Sequence, residues 1–332
     1  MQRQQQLSAW LSSLYPDTDF LLAPASADAS FRRYFRATLP DGATRIVMDA
    51  PPQHEDCRPF LHVGKLFEDA GAHVPHVYAQ DLEQGFLLLS DLGNTTYLQA
   101  LNDANAAQLY GAATNALIKI QLASQESELP PYDEALLRRE LNLFPEWYLG
   151  KHLGVILTDK QATDLERAFK AILANNLAQP RVYVHRDYHS RNLMLLPENN
   201  PGVLDFQDAV YGPITYDLAS LFKDAYIQWE EPQIMDWLIR YWEKARKAGL
   251  PVREDFGEFY RDYEMMGVQR HIKVLGIFAR LYHRDGKDGY LKDIPLVFEY
   301  LHRACARYIE LKPLLNLLDE LHPNDVREGY SF

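Results

Sequence analysis

Near the start of the chain, Leu7, Trp10, Leu11 and Leu14 recur at i, i+3, i+4 and i+7, which predicts a short amphipathic helix ended by Pro16 and Asp17. From Phe20 to Met48 the period shortens to strands and turns. FLLA leads into a small-residue turn at residues 24–30, FRRYFRATL follows, and Pro40-Asp41-Gly42 separates it from a strand at residues 45–48. Two β-arches in series predict an antiparallel meander. Phe60, Val63, Leu66 and Phe67 restore helical spacing before Gly71, and residues 86–89 form another strand. Asp91-Leu92-Gly93-Asn94 then breaks the pattern. Beyond it helices predominate, over residues 105–125, 134–147 and 159–175, and resume from Tyr216 after a strand-rich interlude at 182–206. The expected architecture is α+β, with a small β-rich lobe over residues 1–91 and a larger, mainly helical lobe over 92–332. No internal repeat is visible.

Composition narrows the class. At about 100–200 residues per domain, 332 residues favour two compact units. With 47% apolar and 24% charged residues the chain is neither disordered nor fibrous. Thirty-four Lys and Arg against 46 Asp and Glu leave a formal charge of −12, which argues against a basic face for nucleic acid. The two cysteines, Cys57 and Cys305, lie far apart, and nothing has Cys/His metal-ligand spacing. The first residues carry no signal-peptide core, and no run approaches the ~20 apolar residues of a spanning helix. The expectation is a cytoplasmic protein with no nucleic-acid, membrane or obligate protein partner.

The chemistry lies in VYVHRDYHSRNLMLLPENNPGVLDFQD, residues 182–208. A β-branched and aromatic triplet leads into His185-Arg186-Asp187, and Asn192 follows five residues after Asp187. A short strand, a Pro/Asn/Gly turn and a second strand then deliver Asp205 and Phe206. A ribbon of this shape brings its ends together, so Asp187, Asn192 and Asp205 are expected to converge. Two carboxylates and an amide suit phosphoryl transfer. Asn192 and Asp205 supply the oxygen ligands a hard cation such as Mg²⁺ takes, beside the nucleotide phosphates. Asp187 is then free to accept the proton of an attacking hydroxyl. His185 organises the loop rather than taking part.

HRDYHSRN, LDFQD and GPITYDLASLF together resemble the aminoglycoside-phosphotransferase-like kinases, small-molecule relatives of the protein kinases, over nearly the whole chain. The resemblance implies a protein-kinase-like two-lobe fold, ATP and Mg²⁺ as cofactors, Asp187 as catalytic base, and Asn192 and Asp205 as metal ligands. It also implies Asp217 as a carboxylate supporting the loop, and Ser90, Asp91 and Leu92 as the hinge whose backbone meets adenine. ASFRRYF, IVMDAPP, GFLLLSDLG, RELNLFPEWYL and GVQRHIKVLGIFARLYHRDGKDGYL narrow the likeness to the anomeric N-acetylmuramate/N-acetylglucosamine kinases of bacterial cell-wall recycling. That implies phosphorylation of the C1 hydroxyl of a small-molecule amino sugar.

The chain departs from the kinase pattern where the third strand, Arg45 to Asp49, has no Lys and the 27–30 turn has no Gly. A carboxylate facing a triphosphate would repel it. Either Asp49 points away, or the phosphates are held otherwise, with Ser30, Arg32 and Arg33 as candidates. For the acceptor, Arg191 on the catalytic loop and Arg270 and Lys273 suit a carboxylate, the latter two on a basic stripe that continues to Arg280 and Arg284. His189, Gln207 and Asp208 could meet sugar hydroxyls, and the rings around residues 145–148 could stack on a sugar. Two other readings stay open: a kinase for an aminoglycoside or another small alcohol, and a catalytically silent nucleotide-binding protein.

Overall fold

The computed structural model describes residues 2–27 and 31–321. By contact the chain divides into two compact units, Met1–Asn102 with Arg191–Asp208, and Asp103–Ser190 with Ala209–Phe332. The chain therefore leaves the first unit after Asn102, returns to it at Arg191 for the ribbon and leaves it again after Asp208.

In the first unit, helix α1 (Gln2–Leu14) precedes strands β1 (Leu21–Ala27), β2 (Arg33–Thr38) and β3 (Thr44–Asp49). Helix α2 (Arg58–Asp69), strands β4 (Val77–Asp81) and β5 (Phe86–Ser90), and the short helix α3 (Tyr97–Ala100) follow. The sheet is antiparallel in the order β1-β2-β3-β5-β4, which bears out the meander and adds β4, which the pattern did not single out. Leu7 and Leu11 of α1 are fully buried in one cluster with Phe35, Val47, Phe86 and Leu88, and Trp10 packs on it. Successive strand residues face opposite sides. Leu87 and Leu89 are also buried, so β5 is covered on both faces, which is why it reads as an unbroken apolar run.

In the second unit, α4 (Ala106–Leu122), α5 (Glu134–Leu141) and α6 (Asp159–Leu177) lead to strand β6 (Arg181–Val184). The ribbon strands of the first unit, β7 (Leu193–Met194) and β8 (Gly202–Val203), come next in the chain. Then follow β9 (Val210–Pro213), which pairs antiparallel with β6, and helices α7 (Tyr216–Phe222), α8 (Glu231–Ala248), α9 (Phe256–Asp285), α10 (Ile294–Arg307) and α11 (Lys312–Leu321). The single helix expected over residues 134–147 is two: α5 stops at Leu141 and a π-helical segment runs from Phe144 to His152, with Pro145 in its first turn. Proline has no N–H to continue the α-helical ladder. Helix α9 is the spine, 30 residues long and buried along most of its length. It lies so close to the α5–π-helix junction that a Cβ on Gly276 would meet the Leu143 backbone at 2.5 Å. Among the described residues no helix is long and apolar enough to cross a membrane.

Candidate active site

The ribbon in the first unit pairs Leu193 with Val203 and Met194 with Gly202, and Leu204 N donates to Asn192 O at 2.9 Å. Asn192 and Asp205 therefore flank the same end of the ladder, and Asn192 Nδ2 comes to 3.4 Å from Asp205 Oδ2. Gln207 Nε2 donates to Asp205 Oδ1 at 2.7 Å. Asp205 is exposed and adopts φ +62°, a left-handed conformation that costs a non-glycine residue energy and is concentrated at functional sites. Its neighbour holds it there. Phe206 is fully buried, 4.8 Å from the Phe60 ring and 5.9 Å from Phe67, and a Cβ on Gly64 would press on it at 3.2 Å. The aromatic anchor fixes the backbone, and the acid before it is left facing outward.

In the second unit, β6 delivers His185-Arg186-Asp187. His185 is fully buried, with its ring edge-on to Tyr188, whose hydroxyl donates to Ala113 O at 2.9 Å. The N–H groups of His185 and Arg186 both donate to the buried Asp217 carboxylate, at 2.7 and 3.0 Å, and Asp187 N donates to His185 Nδ1 at 3.2 Å. Asp217 thus holds the loop backbone. Burial pushes its carboxyl up to about 7, against those two hydrogen bonds. At the far end, Asp224 accepts from Ser190 N at 2.9 Å. Arg186 takes φ +76°, and its guanidinium donates to Glu140. Glu140 is 5% exposed and also meets Lys273 Nζ at 3.0 Å and the Tyr132 hydroxyl. Burial would raise the Asp187 carboxyl, but Lys273, His189, His185 and Arg270 outweigh it and hold it below the ordinary carboxylate range. Asp187 is therefore ionised at neutral pH, the form a general base needs.

Each unit thus holds its own ordered cluster of acidic and amide side chains. A sequence profile of the phosphotransferase enzyme family (APH) matches residues 22–256. The chain belongs to that family. The phosphotransferase is 53% identical, over 100% of both chains, to the N-acetylmuramate/N-acetylglucosamine kinase of Neisseria meningitidis serogroup B. It is also 53% identical to the protein of the same name from Pseudomonas aeruginosa, over 96% of this chain and 97% of that one. Choline kinase LicA from Streptococcus pneumoniae superposes with a TM-score of 0.63 at 15% identity, covering 93% of this chain and 100% of that one. At that identity the likeness speaks for the fold, which is protein-kinase-like.

The remaining residues singled out from the sequence fall in several settings. Ser30 lies outside the described residues. Asp49, the acid that ends the third strand, is completely buried, and strand register sets Arg33 opposite it. Arg33 Nε donates to Asp49 Oδ2 at 3.1 Å, and Arg3 of α1 donates to Oδ1 at 2.8 Å. Two guanidiniums thus balance Asp49 within its own unit. Arg32 sits 3.7 Å from Glu55. Ser90 N donates to His76 O at 2.9 Å, Arg36 pairs with Asp91, and Leu92 is buried.

Among the acceptor candidates, Asp208 is exposed and Arg191 half-buried. His189 is buried, edge-on to Tyr226 with centroids 5.5 Å apart. The basic stripe on α9 is not one surface. Arg270 and Lys273 are buried, while Arg284 is exposed and paired with Asp285 at 2.7 Å. Lys273 donates to Tyr216 Oη at 2.9 Å besides its ion pair with Glu140. Arg270 Nε donates to Ser220 Oγ at 3.0 Å, and its buried Nη1 has no hydrogen-bond partner. Tyr148 is packed between Phe144 and His152, as helix packing requires. Glu140 was missed from the sequence although a signal existed. Leu137, Glu140, Leu141 and Phe144 share i, i+3, i+4, i+7 spacing, so an acid sits in an apolar stripe and needs a buried cation. No pattern announced Asp224.

Proposed function

We propose that this phosphotransferase is an ATP- and Mg²⁺-dependent kinase for the anomeric C1 hydroxyl of N-acetylmuramate and N-acetylglucosamine, acting in the cytoplasm in peptidoglycan recycling. The observation that carries the reading is the 53% identity, along the whole chain, to proteins bearing that kinase name. Asp187 is the base: ionised, held by a fixed loop, and placed to accept the sugar hydroxyl's proton as the oxygen attacks the γ-phosphorus.

The donor chemistry of Asn192 and Asp205 fits Mg²⁺. An amide and a carboxylate oxygen are hard ligands, and such an ion takes few from protein when phosphates supply the rest. Among the described residues no group of three or more His, Cys, Asp or Glu forms a metal cage. When bound, the ion neutralises phosphate charge. The backbone of Ser90, Asp91 and Leu92 meets adenine, and Ser30, Arg32 and Arg33 lie on the phosphate side. Arg33 is paired with Asp49 and Arg32 with Glu55, so binding phosphate would draw either guanidinium from an acid. His189, Arg191, Gln207 and Asp208 serve the acceptor's polar groups. Arg270 is the reading's choice for an acceptor carboxylate, because it keeps a buried donor nitrogen without a partner. Lys273, held by Glu140, acts on Asp187 through its charge rather than on the sugar.

A panel assay tests this. With ATP and Mg²⁺, ADP release is expected with N-acetylmuramate and N-acetylglucosamine and not with aminoglycosides. Turnover of aminoglycosides alone, or of no acceptor while nucleotide still binds, contradicts the reading.

A further inference from the structure

Leading away from the catalytic loop within the second unit is a run of four rings. His189, two residues past Asp187, lies edge-on to Tyr226 at 5.5 Å, Tyr226 lies 6.3 Å from Phe278 of α9, and Phe278 lies 5.3 Å from Tyr290. Tyr226 is in the connection after α7, and Tyr290 is in a 3₁₀ turn over Asp288–Asp293. Rings that only fill a core lose nearly all their surface, as Tyr148 does at 1% exposure. Phe278 behaves that way, but Tyr226 and Tyr290 on either side of it are only half-buried. One carboxylate ties the run to the loop. Asp224 accepts from Ser190 N through Oδ2 at 2.9 Å and from Tyr226 N through Oδ1 at 3.1 Å. Tyr226 is thereby held at a fixed setting to the segment that carries Asp187.

We propose that Tyr226 and Tyr290 form the apolar wall of the acceptor subsite, against which the C–H face of the amino-sugar ring stacks. The inference rests on the amino-sugar kinase reading and names the part of the chain that recognises the ring. A pyranose carries its hydroxyls around its edge and offers C–H groups on its faces, so an aromatic wall beside a few polar groups matches it. The wall is joined to the loop that carries Asp187 through the His189–Tyr226 ring contact and the Asp224 carboxylate. The Phe278 ring neighbours both tyrosines.

The test is steady-state kinetics on the full-length protein with N-acetylglucosamine varied at saturating ATP. Tyr226→Ala and Tyr290→Ala are expected to raise KM for the sugar about five- to tenfold each, the scale of one aromatic contact, with kcat falling less than KM rises. KM for ATP should not follow. Tyr226→Phe, which restores the ring without its hydroxyl, should bring the sugar KM back to within about twofold of the parent. If Tyr226→Ala does not fold, Tyr226→Leu keeps apolar bulk without the ring and is expected to raise KM in the same direction. Unchanged sugar KM in the ring-deleted variants, with the parent active on amino sugars, overturns the wall and leaves the kinase reading standing. A Tyr226→Phe as impaired as the Ala variant overturns stacking in favour of a hydroxyl contact. A parent inactive on every N-acetyl amino sugar overturns both.

Discussion

Asp187→Asn is expected to lower kcat by about 10²–10⁴-fold while leaving nucleotide affinity within a few-fold of the parent. The substitution is nearly isosteric and removes only the basic oxygen. The loop should keep its shape, because its backbone is held by Asp217, Asp224 and the buried His185 ring. The parent Asp187 is ionised at neutral pH because the surrounding cations outweigh its burial, so every molecule carries the deprotonated base that the variant lacks. Turnover by rapid quench and nucleotide binding by calorimetry, on the same preparation, separate the two effects. A variant that turns over near the parental rate contradicts the assignment of the base.

The largest expected effect on stability comes from Glu140→Ala. Glu140 lies between the guanidinium of Arg186 and the ammonium of Lys273, nearly out of water. Removing it leaves two cations in a low-dielectric interior without their anion, and breaking a buried pair from one side costs about 3–5 kcal/mol. Burial would raise the Glu140 carboxyl, but Lys273 and Arg186 outweigh it and hold it low. The carboxylate's contribution is therefore present at neutral pH and is lost only as the pH falls through that lowered value. Glu166 is the internal control, since it pairs with Arg138 at 2.7 Å but is far more exposed. Glu166→Ala should cost less than about 1 kcal/mol. Urea unfolding of both variants checks the contrast, and equal losses contradict the buried network. Arg186 sits beside Asp187 in the loop and its guanidinium is anchored by Glu140, so the Glu140 variant should also lose rate.

Asp187 was legible in the sequence and Glu140 was not. Asn192 and Asp205 come together because a short ribbon between turn residues brings its own ends together, and that is local geometry. The Asn192–Asp205 approach follows directly from the register of four residues. Helix α2 and the meander were legible for the same reason, since apolar spacing within one element sets which face it buries. Asp49 could not be interpreted that way. Its neutralisation by Arg33 depends on cross-strand register, and its neutralisation by Arg3 on a helix 46 residues earlier. The stripe on α9 shows a related limit. Spacing places Arg270, Lys273 and Arg284 on one side of a helix but does not say how far along that side the core extends. The core covers the first two and stops before the third. Glu140 sits between these cases, an acid inside an apolar stripe, visible as an anomaly whose partners only the fold supplies.

The position of the transferred phosphate tests the account most directly. N-acetylglucosamine labelled with carbon-13 at C1 is incubated with the protein, ATP and Mg²⁺, and the product is read by phosphorus and carbon NMR. A new phosphorus resonance split by the labelled carbon is the predicted result, since the phosphate is then bonded through oxygen to C1. Phosphate on any other hydroxyl, or ATP left unconsumed by a folded, nucleotide-binding protein, would contradict it.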